Sequence, residues 1–228
     1  YVFNRTKIYM NLKNFYWYFT AALPIKFCDD VIEYGLQKQE QMAVTGLVGN
    51  KKLNKKEINN LKYKRNSDVV WLNETWIYKE ILPYVDIANK NAGWNFQWER
   101  SEDIQFTKYE SEQHYSWHVD GKSCTYAKRG FTFDKPKGLA ETCYPHLIDT
   151  CRKVSASLIL NDDFSGGEFE TAYLHNDEKG NLEIKKHIHK PKKGDMLIFP
   201  SYLHHRVRPV RTGIRYSIVV WAGGPPMK

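Results

Sequence analysis

No stretch of this 228-residue chain reaches the roughly 18 uncharged apolar residues that a bilayer span needs; even the aromatic run at 15–23 is short and follows Lys13 and Asn14. The chain is therefore expected to be soluble, with no membrane partner. It shows no secretory h-region with a small-residue cleavage site, and its four cysteines, Cys28, Cys124, Cys143 and Cys151, include no CxxC pair. A disulfide framework is unsupported, and a reducing, cytoplasmic compartment is expected. Repeats and low-complexity tracts are missing too, which leaves disorder, collagen-like structure and coiled coil without support. Acidic residues are in deficit: 26 Asp and Glu against 34 Lys and Arg give a formal charge of +8. That excess suits a nucleic acid, an acidic substrate or plain solubility, and does not choose among them.

What is present is an ordinary core complement. With 42% apolar and 14% aromatic residues the chain can bury a core, and its length favours a single domain over 1–228. The nine residues before Met10 read as an upstream extension. Residues 15–22 read as an early strand or packing arm. A helix follows Leu23-Pro24, with Phe27, Val31, Tyr34 and Leu36 on its apolar face and Asp29 and Asp30 in its first turn. Residues 43–48 suggest a short strand. The run 51–65 carries seven basic residues against one Glu and reads as an exposed loop or helix face; Tyr63 is its only aromatic, too few for a base-stacking surface, so no nucleic-acid partner is expected. A further helix over 73–91 sets Ile77, Ile81, Tyr84 and Ala88 on one face, with Pro83 expected to kink it or to begin a new helix.

Then the period falls to two. Trp94, Phe96 and Trp98 alternate, and short β-branched and aromatic runs follow at 105–109, 114–119, 154–160, 167–173, 196–199, 206–210 and 214–221. Helices first and antiparallel strands afterwards predict a mostly β, double-sheet fold with helices against one face: support and outer strands in 1–100, the core in 101–224. Residues 121–152 are too long for an ordinary connection and are expected to form a lid or binding loop.

His118-Val119-Asp120 ends one alternating run, so its imidazole and carboxylate share a strand face. Joined by a second histidine from elsewhere, they make the facial triad that binds ferrous iron and leaves coordination positions open. A strand-end histidine beside a turn aspartate gives the same tripeptide, and His175-Asn176-Asp177, in a turn-rich segment, is read as a surface hairpin tip and not as a ligand pair. His204 and His205 must face opposite ways in an extended segment, so one of them can bind. Arg215 lies ten positions past His205 across the turn 211–213, on what is expected to be the neighbouring antiparallel strand, with Ser217 on its face. Guanidinium and hydroxyl together suit a carboxylate, although an arginine there could also serve an ordinary ion pair.

Several separated motifs agree in order and spacing. Tyr109 and Tyr115 precede His118 by nine and three positions, LNDDFSGGEFE occupies 160–170, KKGDMLIFPS occupies 192–201, and His205 is followed by Pro209-Val210, Gly213 and Arg215. Upstream stand Arg65-Asn66-Ser67 and Trp71-Leu72. Together these resemble the iron(II)- and 2-oxoglutarate-dependent oxygenases, most of all their prolyl 4-hydroxylase branch, over about residues 15–224. The resemblance implies a double-stranded β-helix, a jelly-roll barrel with the metal in its mouth. It selects His205 over His204, and makes His118, Asp120 and His205 the Fe(II) ligands. It places 2-oxoglutarate on the iron with its far carboxylate on Arg215, beside Tyr109 and Ser217, where the branch sometimes has lysine instead of arginine. It implies O2 as cosubstrate, ascorbate as reductant, and hydroxylation of an unactivated C–H bond with release of succinate and CO2. The expected substrate is a prolyl residue of a protein or peptide, with a small molecule or another side chain as alternatives. Tyr115, Trp117, Arg152 and Trp221 are the candidate substrate residues, and Tyr126, Phe131, Phe133 and Tyr144 of the long loop could meet a proline-bearing chain. A non-catalytic jelly-roll binding module is the competing class; the three ligands and Arg215 argue against it. Cys124, Cys143, His146 and Cys151 could in principle hold zinc, but their spacings depart from the common patterns and they are read as free groups. The sequence does not indicate an oligomeric state.

Overall fold

A computed structural model of the protein describes residues 12–38, 41–42, 54–121 and 150–226. Its strands form two main antiparallel sheets. The larger runs β1 (Trp17–Phe19), β12 (Met196–Pro200), β8 (Cys151–Ile159), β15 (Arg215–Gly224), β6 (Ile104–Tyr109), β4 (Asp68–Leu72) and β2 (Gln41–Met42), with β5 (Arg100–Ser101) also on β15. The smaller runs β11 (Leu182–His189), β10 (Phe169–Asn176), β13 (His204–Val207), β7 (His114–His118) and β3 (Arg65–Asn66). A two-stranded ribbon of β14 (Val210–Thr212) and β9 (Ser165–Gly166) completes the set. Among the described residues the two main sheets stay separate and do not close into a barrel.

Strand alternation assigns the two faces of the large sheet. Phe106, Leu158, Ile198, Ile218 and Val220 point outward and join Ile77, Ile81, Val85 and Ala88 of α3 (Thr75–Asn91) and Cys28 and Val31 of α1 (Ile25–Leu36) in one apolar cluster. The intervening residues point toward the small sheet, where Tyr109, Leu197 and Phe199 meet Phe169, Leu203 and Val207. Gly35 lets α1 approach closely, since a Cβ there would stand 2.9 Å from the Phe106 ring. The helices thus fill one face of the large sheet and leave the other for the site.

Several local expectations need correction. Asp29 and Asp30 lie one turn deeper than the first turn of α1, where Asp30 pairs with Lys26 across one turn at 2.8 Å and Asp29 with Lys193; Leu36 is exposed. Pro83 begins no new helix: it sits inside α3, which runs on past it. Trp94 and Phe96 are buried in alternation with an exposed Asn95, but 94–98 forms no ladder. The described part of the basic run forms α2 (Lys55–Lys64), started by a reciprocal capping box between Asn54 and Glu57; the lysines of α2 are exposed and Arg65, just past it, is buried, while 51–53 lie outside the described residues. The 175–177 segment does form a hairpin tip, and it leads into β11, a strand that sequence periodicity had not revealed. Cys151 and Arg152 belong to β8, so the long connection is shorter than supposed. Residues 43–48 and 122–149 lie outside the described residues. No helix among the described residues is long and apolar enough to cross a membrane.

Besides the β1–β12 ladder, a buried carboxylate helps to fasten the N-terminal arm. Asp195 accepts from the Tyr18 hydroxyl at 2.6 Å and from the backbone N–H groups of Ala21 and Lys192, each at 2.8 Å. Asp195→Ala strands these donors and is expected to lower unfolding free energy by about 3 kcal/mol. A urea midpoint that barely moves would show that the arm is held by other contacts.

Candidate metal centre

His118 is the last residue of β7, and the chain then turns so that the N–H groups of Asp120 and Gly121 both donate to the Ser201 carbonyl at 2.9 Å. His205 lies directly opposite His118 in the β13–β7 ladder. The three side chains converge: Oδ1 of Asp120 is 3.5 Å from Nε2 of His118 and 3.6 Å from Nε2 of His205. One donor atom from each lies within 4.8 Å of the other two, and this is the only such group among the described residues. His204 points away and is exposed.

Each imidazole is oriented through its other nitrogen. Nδ1 of His118 is 2.8 Å from the Ser116 carbonyl, and Nδ1 of His205 is 2.8 Å from the Leu203 carbonyl. A proton on Nδ1 in each case leaves Nε2 as a lone pair facing the centre. Tyr115 stacks on His118 with ring centroids 3.4 Å apart, and Phe169 stacks on His205 at 5.3 Å. Burial, aided by the neighbouring His205, pushes the His118 pKa down to about 4. Burial also acts to raise Asp120, but the two imidazoles outweigh it and hold the carboxyl well below its usual range. Both groups are therefore deprotonated at neutral pH, the state a metal requires. Oδ2 of Asp120 is buried with no partner. Two lone-pair nitrogens, a carboxylate and an unmatched buried oxygen fit a divalent cation of the ferrous kind.

Arg215 faces this group from the other sheet. The sequence had put it on the strand next to His205; instead β14 intervenes, and β15 pairs with β6, β8 and β5 in the large sheet. Its guanidinium is buried, its Nη1 donates to Ser217 Oγ at 2.8 Å, and it lies 5.4 Å from the ring of Tyr109, its partner in the β15–β6 register. Nε has no partner, and no carboxylate among the described residues pairs with the group. Burial lowers its pKa to about 10, so it remains charged at neutral pH. A narrow cavity joins Arg215 and the triad, and Tyr109, Ser217, Tyr115 and Trp221 are among the residues that line it.

Two candidates fall elsewhere. A register irregularity between His205 and Val207 brings both Tyr115 and His118 inward. Trp117 consequently lies on the outer side, 4.9 Å from Arg206 and 5.9 Å from Lys186. Arg152 grips Glu102 with two hydrogen bonds of 2.7 and 2.6 Å, donates to the Asp120 carbonyl at 3.1 Å and covers Trp221 at 4.0 Å, so it braces the wall without lining the cavity. Cys151 is buried and free; Cys124, Cys143 and His146, like the loop aromatics, lie outside the described residues. Gln105, Ser157, Phe169, Phe199 and Val207 also line the cavity and were missed, although the alternation of β6 could have indicated Gln105 from its position relative to Tyr109.

A two-sheet sandwich with a His-Asp-His group facing a buried arginine defines a metal-dependent oxygenase type of site, and the comparisons agree. Residues 104–223 match the 2OG-Fe(II) oxygenase superfamily, and the chain belongs to that family, which uses Fe(II), 2-oxoglutarate and O2. A PKHD-type hydroxylase of Xylella fastidiosa (strain M12) is 30% identical over 120 residues, covering 51% of this chain and 42% of the relative; one of Herminiimonas arsenicoxydans is 28% identical over 116 residues, covering 51% and 41%. The match thus spans less than half of each relative. Among solved structures, a Pseudomonas putida prolyl-4-hydroxylase superimposes with TM-score 0.59 at 17% identity over 92% of this chain and 94% of that one. A viral collagen prolyl hydroxylase from Paramecium Bursaria Chlorella virus-1, in its 2OG complex, gives 0.57 at 18% over 93% and 97%. The fold is that of the double-stranded β-helix oxygenases.

Replacing His205 by Ala is expected to weaken Co(II) binding by a factor of roughly 100 or more, while His204→Ala leaves it unchanged, read by absorbance titration. The metal-free chain should also lose stability as pH falls from 6.5 toward about 4, because the unfolded imidazole takes a proton that folded His118 resists; above 6.5 this group contributes no pH dependence. A flat urea midpoint across that window would contradict the assignment.

Proposed function

We propose that the protein is a dioxygenase that couples decarboxylation of 2-oxoglutarate to hydroxylation of a prolyl residue in a protein or peptide, releasing succinate and CO2, with ascorbate as reductant. The observation that carries this reading is Arg215: a buried, charged guanidinium without a counter-ion among the described residues, across one cavity from a carboxylate-and-imidazole triad. A dicarboxylate bearing a keto group satisfies both ends. Arg215, with Ser217 beside it and Tyr109 beneath, binds the far carboxylate and fixes the direction from which the keto acid approaches the triad. His118, Asp120 and His205 would hold the iron, which supplies the chemistry that activates oxygen. Phe169, Phe199 and Val207 keep water from the cavity, and Tyr115 and Trp221 present an aromatic wall to the substrate. A jelly-roll binding module has no use for a buried guanidinium set opposite a ready ligand triad.

The prolyl assignment draws on the PKHD-type hydroxylases and on prolyl hydroxylases of like fold. One of these, from Trichoplax adhaerens, was solved with a hypoxia inducible factor peptide fragment; it covers 92% of this chain with TM-score 0.54 at 16% identity. The test is succinate formation from 2-oxoglutarate with Fe(II), abolished in His118→Ala, together with a gain of one oxygen on proline across a panel of proline-bearing peptides. Succinate without oxidised proline would keep the oxygenase and remove the prolyl substrate. Arg215→Ala is expected to raise the 2-oxoglutarate requirement at least tenfold with little change in iron affinity; equal loss of both would refute the role given to Arg215.

A further inference from the structure

Arg65 ends the basic run 51–65, yet it is only 6% exposed where the lysines of α2 are solvated. The reason is positional: α2 stops at Lys64, and Arg65 enters β3, opposite Tyr115 in the β3–β7 ladder. Its guanidinium carbon lies 4.5 Å from the centroid of the Tyr115 ring. That ring is in turn stacked on His118, with 3.4 Å between centroids and 13° between planes. One face of a phenol cannot carry both neighbours, so Arg65, Tyr115 and His118 form three successive layers ending on a candidate metal ligand.

The guanidinium fork is anchored as well as stacked. Nε donates to Ser67 Oγ at 3.0 Å and Nη1 to Gln105 Oε1 at 3.2 Å, while Gln105 itself donates to Thr107 Oγ1 at 3.0 Å. Gln105 belongs to β6 of the large sheet and Tyr115 to β7 of the small one, so Arg65 connects the two sheets behind the site. Its Nη2 is buried with no partner. Burying a guanidinium with one nitrogen unmatched and no carboxylate paired to it among the described residues costs stability. Its contribution is therefore sought in geometry.

We infer that Arg65 is a positioning residue for the metal centre: pinned to Ser67 and Gln105, it holds the Tyr115 ring flat, and that ring fixes the plane of His118 and the direction of Nε2. Outer groups that orient a ligand of this kind change metal affinity roughly 10- to 100-fold when removed. The inference rests on reading His118, Asp120 and His205 as a metal centre, and the test separates the two. Co(II) is titrated into the metal-free full chain and followed by its visible absorption, with circular dichroism confirming that each variant is folded.

Arg65→Met keeps the stem and loses the fork; it is expected to weaken Co(II) binding at least tenfold and to broaden the absorption bands. Arg65→Lys keeps the charge but cannot span Ser67 and Gln105 while lying flat on a ring, so it should fall between Met and the wild type, and it serves if the Met variant does not fold. Tyr115→Leu should weaken binding to a similar degree, and in that background Arg65→Met should add nothing. Unchanged affinity in both Arg65 variants, or effects that multiply in the double variant, would overturn the inference. A wild-type chain that takes up no Co(II) would overturn the metal-centre reading and this inference with it.

Discussion

Two opposite charges, Asp120 and Arg215, are buried in the same cavity and do not neutralise one another. Charges removed from water need compensation close at hand, and neither has a full complement. Among the described residues, Asp120 has two imidazoles at Oδ1 and nothing at Oδ2, and Arg215 has one hydroxyl and a phenol ring. Direct pairing would have been the simple solution, but the fold prevents it by placing them on facing sheets. The triad belongs to β7, β13 and the turn after β7, and the guanidinium to β15. What remains is a slot with a carboxylate-and-imidazole end and a cationic end, which a metal and a dicarboxylate complete together.

The rest of the architecture keeps that slot in place. Helices α1 and α3 cover the outer face of the large sheet, so its inner face is free to carry Tyr109, Ser217, Trp221 and Arg215. The Ser201 carbonyl receives the two N–H groups that turn the chain after His118, and Arg152 ties the Asp120 carbonyl to Glu102. Aromatic rings on both imidazoles limit how far the ligands can rotate. The site is thus supported from both sheets at once, and its precision depends on the spacing between them.

Much of this was legible in the residues. Two-residue periodicity gave the HxD pair and the shared face of Arg215 and Ser217, and the resemblance, not periodicity, chose His205 over His204; the structure gathers His118, Asp120 and His205, with Asp120 in the turn beyond β7 and not on the strand face. The errors arose where tertiary pairing overrides local pattern. A turn at 211–213 suggested that His205 and Arg215 sit on adjacent strands, but β14 carries the chain from one sheet to the other before β15 begins. Trp117 was misplaced because a register irregularity cannot be read from alternation. Charged residues concealed β11, an edge strand whose solvent exposure leaves little apolar signature. The motif at 65–67 drew notice to Arg65, but its burial among exposed lysines did not show, because it is decided by where a helix stops and a strand starts.

The central claim is that the slot recognises both ends of a 2-oxo dicarboxylate. The most direct measurement is calorimetric titration of the Co(II)-loaded chain with 2-oxoglutarate and, separately, with 2-oxobutanoate, which keeps the keto acid but lacks the far carboxylate. Leaving Arg215 buried without its anion should weaken the shorter acid at least tenfold, about 1.4 kcal/mol or more. Equal affinities would mean that the buried guanidinium does not hold the cosubstrate, and the account of the site would fail.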